Sequence, residues 1–329
     1  MSASRALARP AILTGAPSEK ALAPAQAEAQ AILAKGSKSF ALAGALLGKR
    51  ARLDAAVLYA FCRQADDAVD LAAPEMMADA LVGLRCEIDA IYRGDDGPPL
   101  RRAMHELVVR RRLPRSYLDA LVDGFAMDTR NESYATLAAL DLYGYRVAGV
   151  VGLMMCHVLG VRDDRCLPAA AFLGMGMQLT NIARDVVEDF SRGRQYLPRS
   201  LVGPEELAMA MGASADNHPS RRLVSQAVGV LLDRADLYYQ RGMAGLGGLR
   251  FRDAFAIGAA ARIYRAIGGV LRRRGGNVWR GRAVVSLPRK LWLALVSGWS
   301  SFWSRRVAES VRAVGVPGKE VTFHDLQIQ

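Results

Sequence analysis

In MGMQLTNIARDVVEDFSRGRQYLP (residues 175–198), Met175, Leu179, Ile182, Val186 and Phe190 recur at helical spacing, which predicts a core helix reaching about Phe190. Gln178, Asn181, Asp185 and Asp189 fall at i, i+3, i+7 and i+11, so two amides and two carboxylates line one face of that helix. Carboxylates four residues apart repel by about 0.2–0.5 kcal/mol in water and by far more once desolvated. A polar stripe flanked by apolar residues therefore needs a cationic partner.

Outward from this segment the helical period holds over most of the chain. Helices are predicted over 25–47, 53–71, 76–93, 100–112, 117–128, 140–159, 166–190, 204–211, 221–246, 254–274 and 287–311. Gly36–Phe40, GSKSF, interrupts the first of them through its serines, and Gly94 with DDGPP closes the third. No run of alternating residues is bounded by hairpin turns, so the fold class is all-α.

The helix over 53–71 repeats the anomaly. Tyr59, Arg63, Asp66 and Asp70 are spaced i, i+4, i+7 and i+11 on one face, while Asp67 is turned about 100° away and reads as outward or sideways. A single Asp-x-x-x-Asp on an amphipathic helix is usually solvated surface. Two of them, each on a stripe that would otherwise be core and each near arginine (Arg63; Arg184, Arg192 and Arg194), point to a shared site. Carboxylate pairs facing each other suit Mg²⁺ or Mn²⁺, whose octahedral oxygen shells are completed by water and substrate phosphate. Held that way, a metal turns a diphosphate into a leaving group, and arginines or lysines grip the departing anion. Without a metal, four aspartates in a closed site are untenable unless protonated.

The 329 residues are 51% hydrophobic, enough for a large core and too apolar for a disordered chain. Cys62, Cys86, Cys156 and Cys166 show no CxxC pair and no interleaved histidine pattern, which reads as buried thiols in a reducing cytoplasm. His105, His157, His218 and His324 have no ligand spacing, and Gly174-Met175-Gly176 follows no strand, so it reads as close helix packing rather than a dinucleotide loop. Of the net charge of +12, a surplus of eight lies after Val270, where eleven Lys or Arg meet three acidic residues. Charge alone does not choose between nucleic acid, anionic lipid and a phosphorylated substrate. No uninterrupted apolar run approaches the roughly 18–20 residues of a spanning helix. The nearest, LWLALVSGWSSFW (291–303), is bracketed by Arg289-Lys290 and Arg305-Arg306 and reads either as a helix at a membrane interface or as a core helix with one exposed end. Residues 1–24 read as a mobile leader, 25–312 as one catalytic domain and 313–329 as a tail.

ADDAVD (65–70), YGYRVAGVVG (143–152), QLTNIARDVVED (178–189) and RGRQYLP (192–198) together resemble the squalene/phytoene synthase family, the head-to-head prenyl synthases. The resemblance covers roughly 25–290, and the second Asp motif with its RGRxYLP extension is its most specific part. It implies a single-domain isoprenoid-synthase bundle with a central cavity. It further implies that two geranylgeranyl diphosphates condense through prephytoene diphosphate to phytoene, with two or three Mg²⁺ or Mn²⁺ ions and no NADPH. C15-using members, which make dehydrosqualene, squalene or presqualene diphosphate, are the alternative. By position, Asp66, Asp70, Asp185 and Asp189, helped by Asn181, would bind metal. Arg63, Gln178, Arg184, Arg282 and Lys290 would contact diphosphate, with Ser37 and Ser39 nearby. Phe40, Tyr59, Tyr143 and Tyr264 match aromatic positions at the cavity. Gly44 and Ala56 are small where bulk would shorten a tail pocket. Ala183, Val187 and Gly144 depart from the usual motif, and they bear on cavity shape rather than on metal binding. The expected partner is a prenyl diphosphate, with peripheral membrane contact through the basic C-terminal region and no nucleic acid.

Overall fold

The computed structural model describes residues 19–161, 166–308, 322–326 and 328, and among these there is no strand. The long oily helix predicted around the opening stretch is α9 (Cys166–Ser191), and it is the axis of the bundle. Around it pack α8 (Val150–Leu159), α11 (Pro219–Ala244) and α12 (Phe251–Arg273). A second group, α1 (Glu19–Gly36), α3 (Lys49–Asp70), α4 (Met77–Arg93), α5 (Pro99–Arg111) and α6 (Arg115–Thr129), closes the other side. The short α2 (Lys38–Ala45) bridges α1 to α12, and α13 (Leu287–Ala308) lies outside α12.

Local chemistry sets the boundaries. Ser37 leaves the helical region at φ −148° and caps α2, its Oγ accepting from the Phe40 N–H at 3.2 Å, so GSKSF breaks the helix at its first serine. Gly94 ends α4 in the left-handed conformation that glycine reaches without strain. The helix predicted over 140–159 is not continuous: α7 (Leu137–Gly144) passes into a π-helical turn, Tyr145–Gly149, before α8. This turn meets α9 backbone to backbone. A Cβ at Gly174 would collide with the Ala148 carbonyl, and one at Gly152 with the Ala170 carbonyl.

Both chain ends depart from expectation. Residues 19–24, assigned to the leader, begin α1 because Leu22, Ala25, Ala29 and Leu33 form a buried stripe that continues through Pro24. The tail is not free of the core either: Phe323 packs on Tyr145 with ring centroids 5.7 Å apart, and Leu326 is buried. Residues 1–18 and 309–321 lie outside the described residues. By length and mean hydropathy three segments, Leu137–Leu159, Cys166–Ser191 and Phe251–Arg273, are apolar enough to cross a membrane even without an unbroken apolar run. In each, 61% of its most apolar 18-residue stretch is buried inside the bundle, where the apolar face forms core.

Candidate active site

Along α9, Cys166, Ala169, Ala170, Leu173, Gly174, Met177, Gln178 and Asn181 recur three and four residues apart and form one wall of a cavity of about 340 Å³. Alanines and glycine on this stripe leave the space. The opposite walls come from α3 (Ala55, Leu58, Tyr59, Cys62), α8 (Val151, Met155, Leu159) and α12 (Ala256, Ile257, Ala260, Tyr264). The lining is hydrocarbon except at one end, where Gln178, Asn181, Tyr59 and Tyr264 converge. Gly44 lines the cavity as read from sequence. Ala56 does not: it is fully buried, and the adjacent Ala55, about 100° round α3, faces the space instead.

At the polar end Phe40 stacks on Tyr264, centroids 5.0 Å apart, and meets Tyr59 edge-on at 6.3 Å. Tyr59 fits because Gly36 offers no Cβ where its hydroxyl lies. Burial raises the Tyr264 hydroxyl, while a hydrogen bond with Ser37 and the nearby Arg184 and Arg282 charges lower it in part. Ser37 is thus engaged as cap and tyrosine partner. Ser39 sits half-buried on the same turn.

One turn beyond Asn181 the carboxylates begin. α9 is not regular at Asp185 (φ −103°, ψ 15°), so the two aspartates do not stack as on a straight helix. Asp185 is clamped by Arg184, whose Nε donates at 2.8 Å, and by Arg282, whose Nε lies at 3.2 Å. Asp70 accepts from Arg194 at 2.6 Å. Because Arg194 follows directly on α9, this bond fastens the C-terminal ends of α3 and α9 together, and both acidic stripes lie at one mouth. Arg63 pairs with Asp67 and lies 3.5 Å from Asp66. Asp67, read as outward, is therefore an arginine partner at the rim. Lys290, on α13, makes no ion pair with these carboxylates among the described residues.

Two carboxyls remain poorly compensated. Burial, then the Asp70 charge, pushes Asp66 up to about 6 despite Arg63. Burial, then Asp185, pushes Asp189 up to about 7 against the pull of Arg194 and Arg192.

Sequence reasoning missed a third acidic element. Asp128, on α6, accepts from the Tyr196 hydroxyl at 2.7 Å and from Tyr143 at 3.0 Å. Burial raises it to about 6, with Arg194 and both hydroxyls opposing. Tyr143 is therefore not on the hydrocarbon wall; it is buried between Asp128 and Tyr196, on which it stacks at 5.2 Å. The signal was present in the sequence. Asp128 continues the buried stripe of Leu121 and Phe125, the same violation that exposed the other aspartates, but it occurs there only once.

The donor set fits a hard divalent cation. Carboxylate oxygens crowd at the mouth, and Asp66 and Asp189 hold their protons too tightly for well-paired acids. Among the described residues no three of them form a preformed metal cage. Arginines compensate Asp70 and Asp185, while burial and like charge hold Asp66 and Asp189 toward the protonated form, so pairing and protonation share the load.

Comparison with known proteins places these features in context. The family model described as "Squalene/phytoene synthase" matches residues 33–289. The chain is 40% identical over 294 residues to a 15-cis-phytoene synthase from Paracoccus sp., covering 86% of this chain and 94% of the relative. It is 37% identical to a 15-cis-phytoene synthase from Pantoea ananas, covering 85% and 93%. Among solved structures it is similar to a dehydrosqualene synthase in complex with ligand, at 27% identity and a TM-score of 0.75, covering 87% of this chain and 99% of that one.

Proposed function

The chain belongs to the squalene/phytoene synthase family, and from that premise we propose that it joins two geranylgeranyl diphosphates head to head, through prephytoene diphosphate, into phytoene. The family is one of divalent-metal-dependent prenyl diphosphate enzymes.

What carries this reading is the length of the hydrocarbon channel along α9. From Asn181 to Cys166 is fifteen residue steps, about 22 Å at 1.5 Å each. An extended isoprene unit spans four carbon–carbon bonds, roughly 5 Å, so a C20 tail of about 20 Å fills the channel. A C15 tail of about 15 Å would leave the last ~7 Å empty.

At the mouth, Asp66, Asp70, Asp185 and Asp189, with Asn181, are the residues to hold Mg²⁺ or Mn²⁺. When bound, the ions supply Lewis-acid neutralisation of the diphosphate. Arg184, Arg282 and Arg63 present guanidinium forks to the phosphate oxygens, and Arg194 sets the distance between the two acidic helices. Gln178, on the channel wall where head meets tail, would contact the diphosphate, and Ser37, Ser39 and Lys290 are the further candidates for that contact.

Each diphosphate leaves with the electron pair of its C–O bond. The first allylic cation is attacked by the double bond of the second substrate, and a proton is lost as the cyclopropane closes. The second departure opens that ring, and another proton is lost. Two diphosphates and two protons leave, so the balance needs no reductant. The chain's task is to keep water from the cations, which the hydrocarbon walls do, and to offer aromatic faces. Phe40, Tyr59 and Tyr264 stand where head meets tail, and each face is worth about 0.5–2 kcal/mol to a passing cation. Tyr143, buried between Asp128 and Tyr196, braces the acidic cluster and does not face the channel.

The four cysteines are free, in keeping with a cytoplasmic enzyme, and a lipid-like product favours peripheral contact with membrane. The test is incubation of purified protein with Mg²⁺ and either farnesyl or geranylgeranyl diphosphate, without NADPH. A C40 product from the longer substrate is expected; a C30 product alone overturns the assignment.

A further inference from the structure

Gly229 stands in the interior of the 26-residue α11, where glycine is a poor helix former, and a Cβ there would meet no atom within 4 Å. No close approach of backbones requires it, so what the glycine leaves is space. That space belongs to a groove of about 620 Å³ that shares no lining residue with the hydrocarbon channel. Arg222, Ser225, Gln226 and Gly229, at i, i+3, i+4 and i+7, form its α11 wall. The end of α12 and the turn after it supply the rest, with Arg272, Arg274 and Asn277. Gly275 and Gly276 take positive φ (64° and 76°) to make that turn, and a Cβ at Gly276 would collide with the Ser225 carbonyl, so the turn is pressed against α11.

The acids around the groove are already engaged. Asp216 accepts from Arg221 and from Asn277, each at 3.1 Å. Asp233 and Asp236 pair with Arg272 at 2.8 and 3.1 Å, and Asp236 also pairs with Arg265. Among the described residues Arg222 makes no ion pair, and Arg274 spends only Nη1, on the carbonyls of Gly281 at 2.9 Å and Arg280 at 3.4 Å. Two guanidiniums therefore line the groove without a carboxylate, beside a hydroxyl and an amide.

We propose that this groove binds a polar phosphorylated small molecule, a nucleotide or a sugar phosphate. Guanidinium forks match phosphate oxygens, Ser225 and Gln226 suit the hydroxyls of a sugar, and the volume is that of a small-molecule site. Leu232 is the one apolar side chain on its lining among the described residues, so a prenyl tail has nothing to lie on. The groove also reaches the catalytic mouth. Arg274 holds the carbonyls of Arg280 and Gly281, and the next residue, Arg282, lies 3.2 Å from Asp185. A phosphate that draws the Arg274 side chain into the groove loosens this segment and, with it, the grip of Arg282 at the mouth. That consequence rests on the proposed function, whereas the binding does not.

The test is isothermal titration calorimetry of the full chain in EDTA at low salt, with ADP, glucose 6-phosphate and inorganic phosphate as probes. Wild type is expected to bind ADP or glucose 6-phosphate with a Kd below about 1 mM, the tighter of the two naming the source, and inorganic phosphate about tenfold more weakly or worse. R222Q and R274Q are each expected to weaken binding about tenfold. G229M, which fills the groove without changing its charge, is expected to abolish binding at an undiminished thermal midpoint, and G229A to retain it. R63Q, at the catalytic rim, is expected to bind as wild type does. In steady-state kinetics with excess Mg²⁺, the bound probe is expected to raise KM for geranylgeranyl diphosphate several-fold in wild type and not in G229M. Absence of wild-type binding, equal binding by G229M, or loss in R63Q in place of R222Q would each overturn the site, and binding that leaves KM unchanged would overturn the link to Arg282. The calorimetry needs no turnover, so its outcome is separable from failure of the prenyl-diphosphate reading.

Discussion

Ala170 offers the most direct test of how substrate lies in the protein. Its side chain faces the cavity from α9, eleven residue steps or about 16 Å below Asn181. A C15 tail of about 15 Å ends near that level, whereas a C20 tail extends one isoprene unit past it. Ala170→Phe places a ring across the channel at this point. The excluded unit has five carbons, worth about 0.8 kcal/mol each on burial, so the C20 substrate loses about 4 kcal/mol. That is a fall of about a thousandfold in kcat/KM, while the C15 substrate changes by only a few-fold. The assay is steady-state kinetics with geranylgeranyl and farnesyl diphosphate, with thermal unfolding as a control, since overpacking costs about 1–3 kcal/mol where the ring does not fit the void. A folded variant with undiminished kcat/KM for both substrates would show that the tail does not run along α9, and an equal fall for both would show that the head had moved instead.

Asp66→Asn and Asp189→Asn are each expected to lower kcat by more than about a hundredfold, beyond what an outer-shell change costs, with little change in thermal midpoint; wild-type kinetics retained in either would remove that residue from the metal set. Chelation with EDTA is expected to stop turnover, and added Mg²⁺ or Mn²⁺ to restore it. Asp54 is buried and accepts from Arg110 at 2.6 Å and Arg111 at 2.7 Å, so Asp54→Ala strands two arginines and is expected to cost about 3–5 kcal/mol in urea unfolding; a loss below about 1 kcal/mol would mean the arginines find water. The Asp128 pKa is raised from 3.8 to about 6 in the folded state, so its cost is absent below about pH 4, grows as pH rises and is complete above about 6. Relative to Asp128→Asn, wild type is expected to lose up to about 3 kcal/mol of stability across that window, and a difference independent of pH would place the carboxyl in water.

The sequence by itself determined the helices and the two acidic stripes. Helical period is a local property, and a carboxylate on a stripe of core residues is conspicuous without any partner in view. Gln178, Asn181, Asp185 and Asp189 were legible because they share one helix with Leu179, Ile182 and Val186, and α3 repeated the pattern at Asp66 and Asp70. What joins the stripes was not local. Arg194 reaches Asp70 across 124 positions of sequence, and Asp128 gains its meaning only when Tyr143 and Tyr196 arrive from two other segments. The choice of Ala55 over Ala56 as channel wall depended on the rotation of α3 against α9, which no spacing within α3 reveals. Likewise the outer face of α13 became visible only once its other face was spent on α12, because apolar residues on a helix state a need for burial without naming the surface that meets it. The stretch at 175–198 proposed a site that needed a cation. The tertiary structure supplied the arginines that hold the aspartates meanwhile and the hydrocarbon channel beneath them, both of them products of contacts between distant segments.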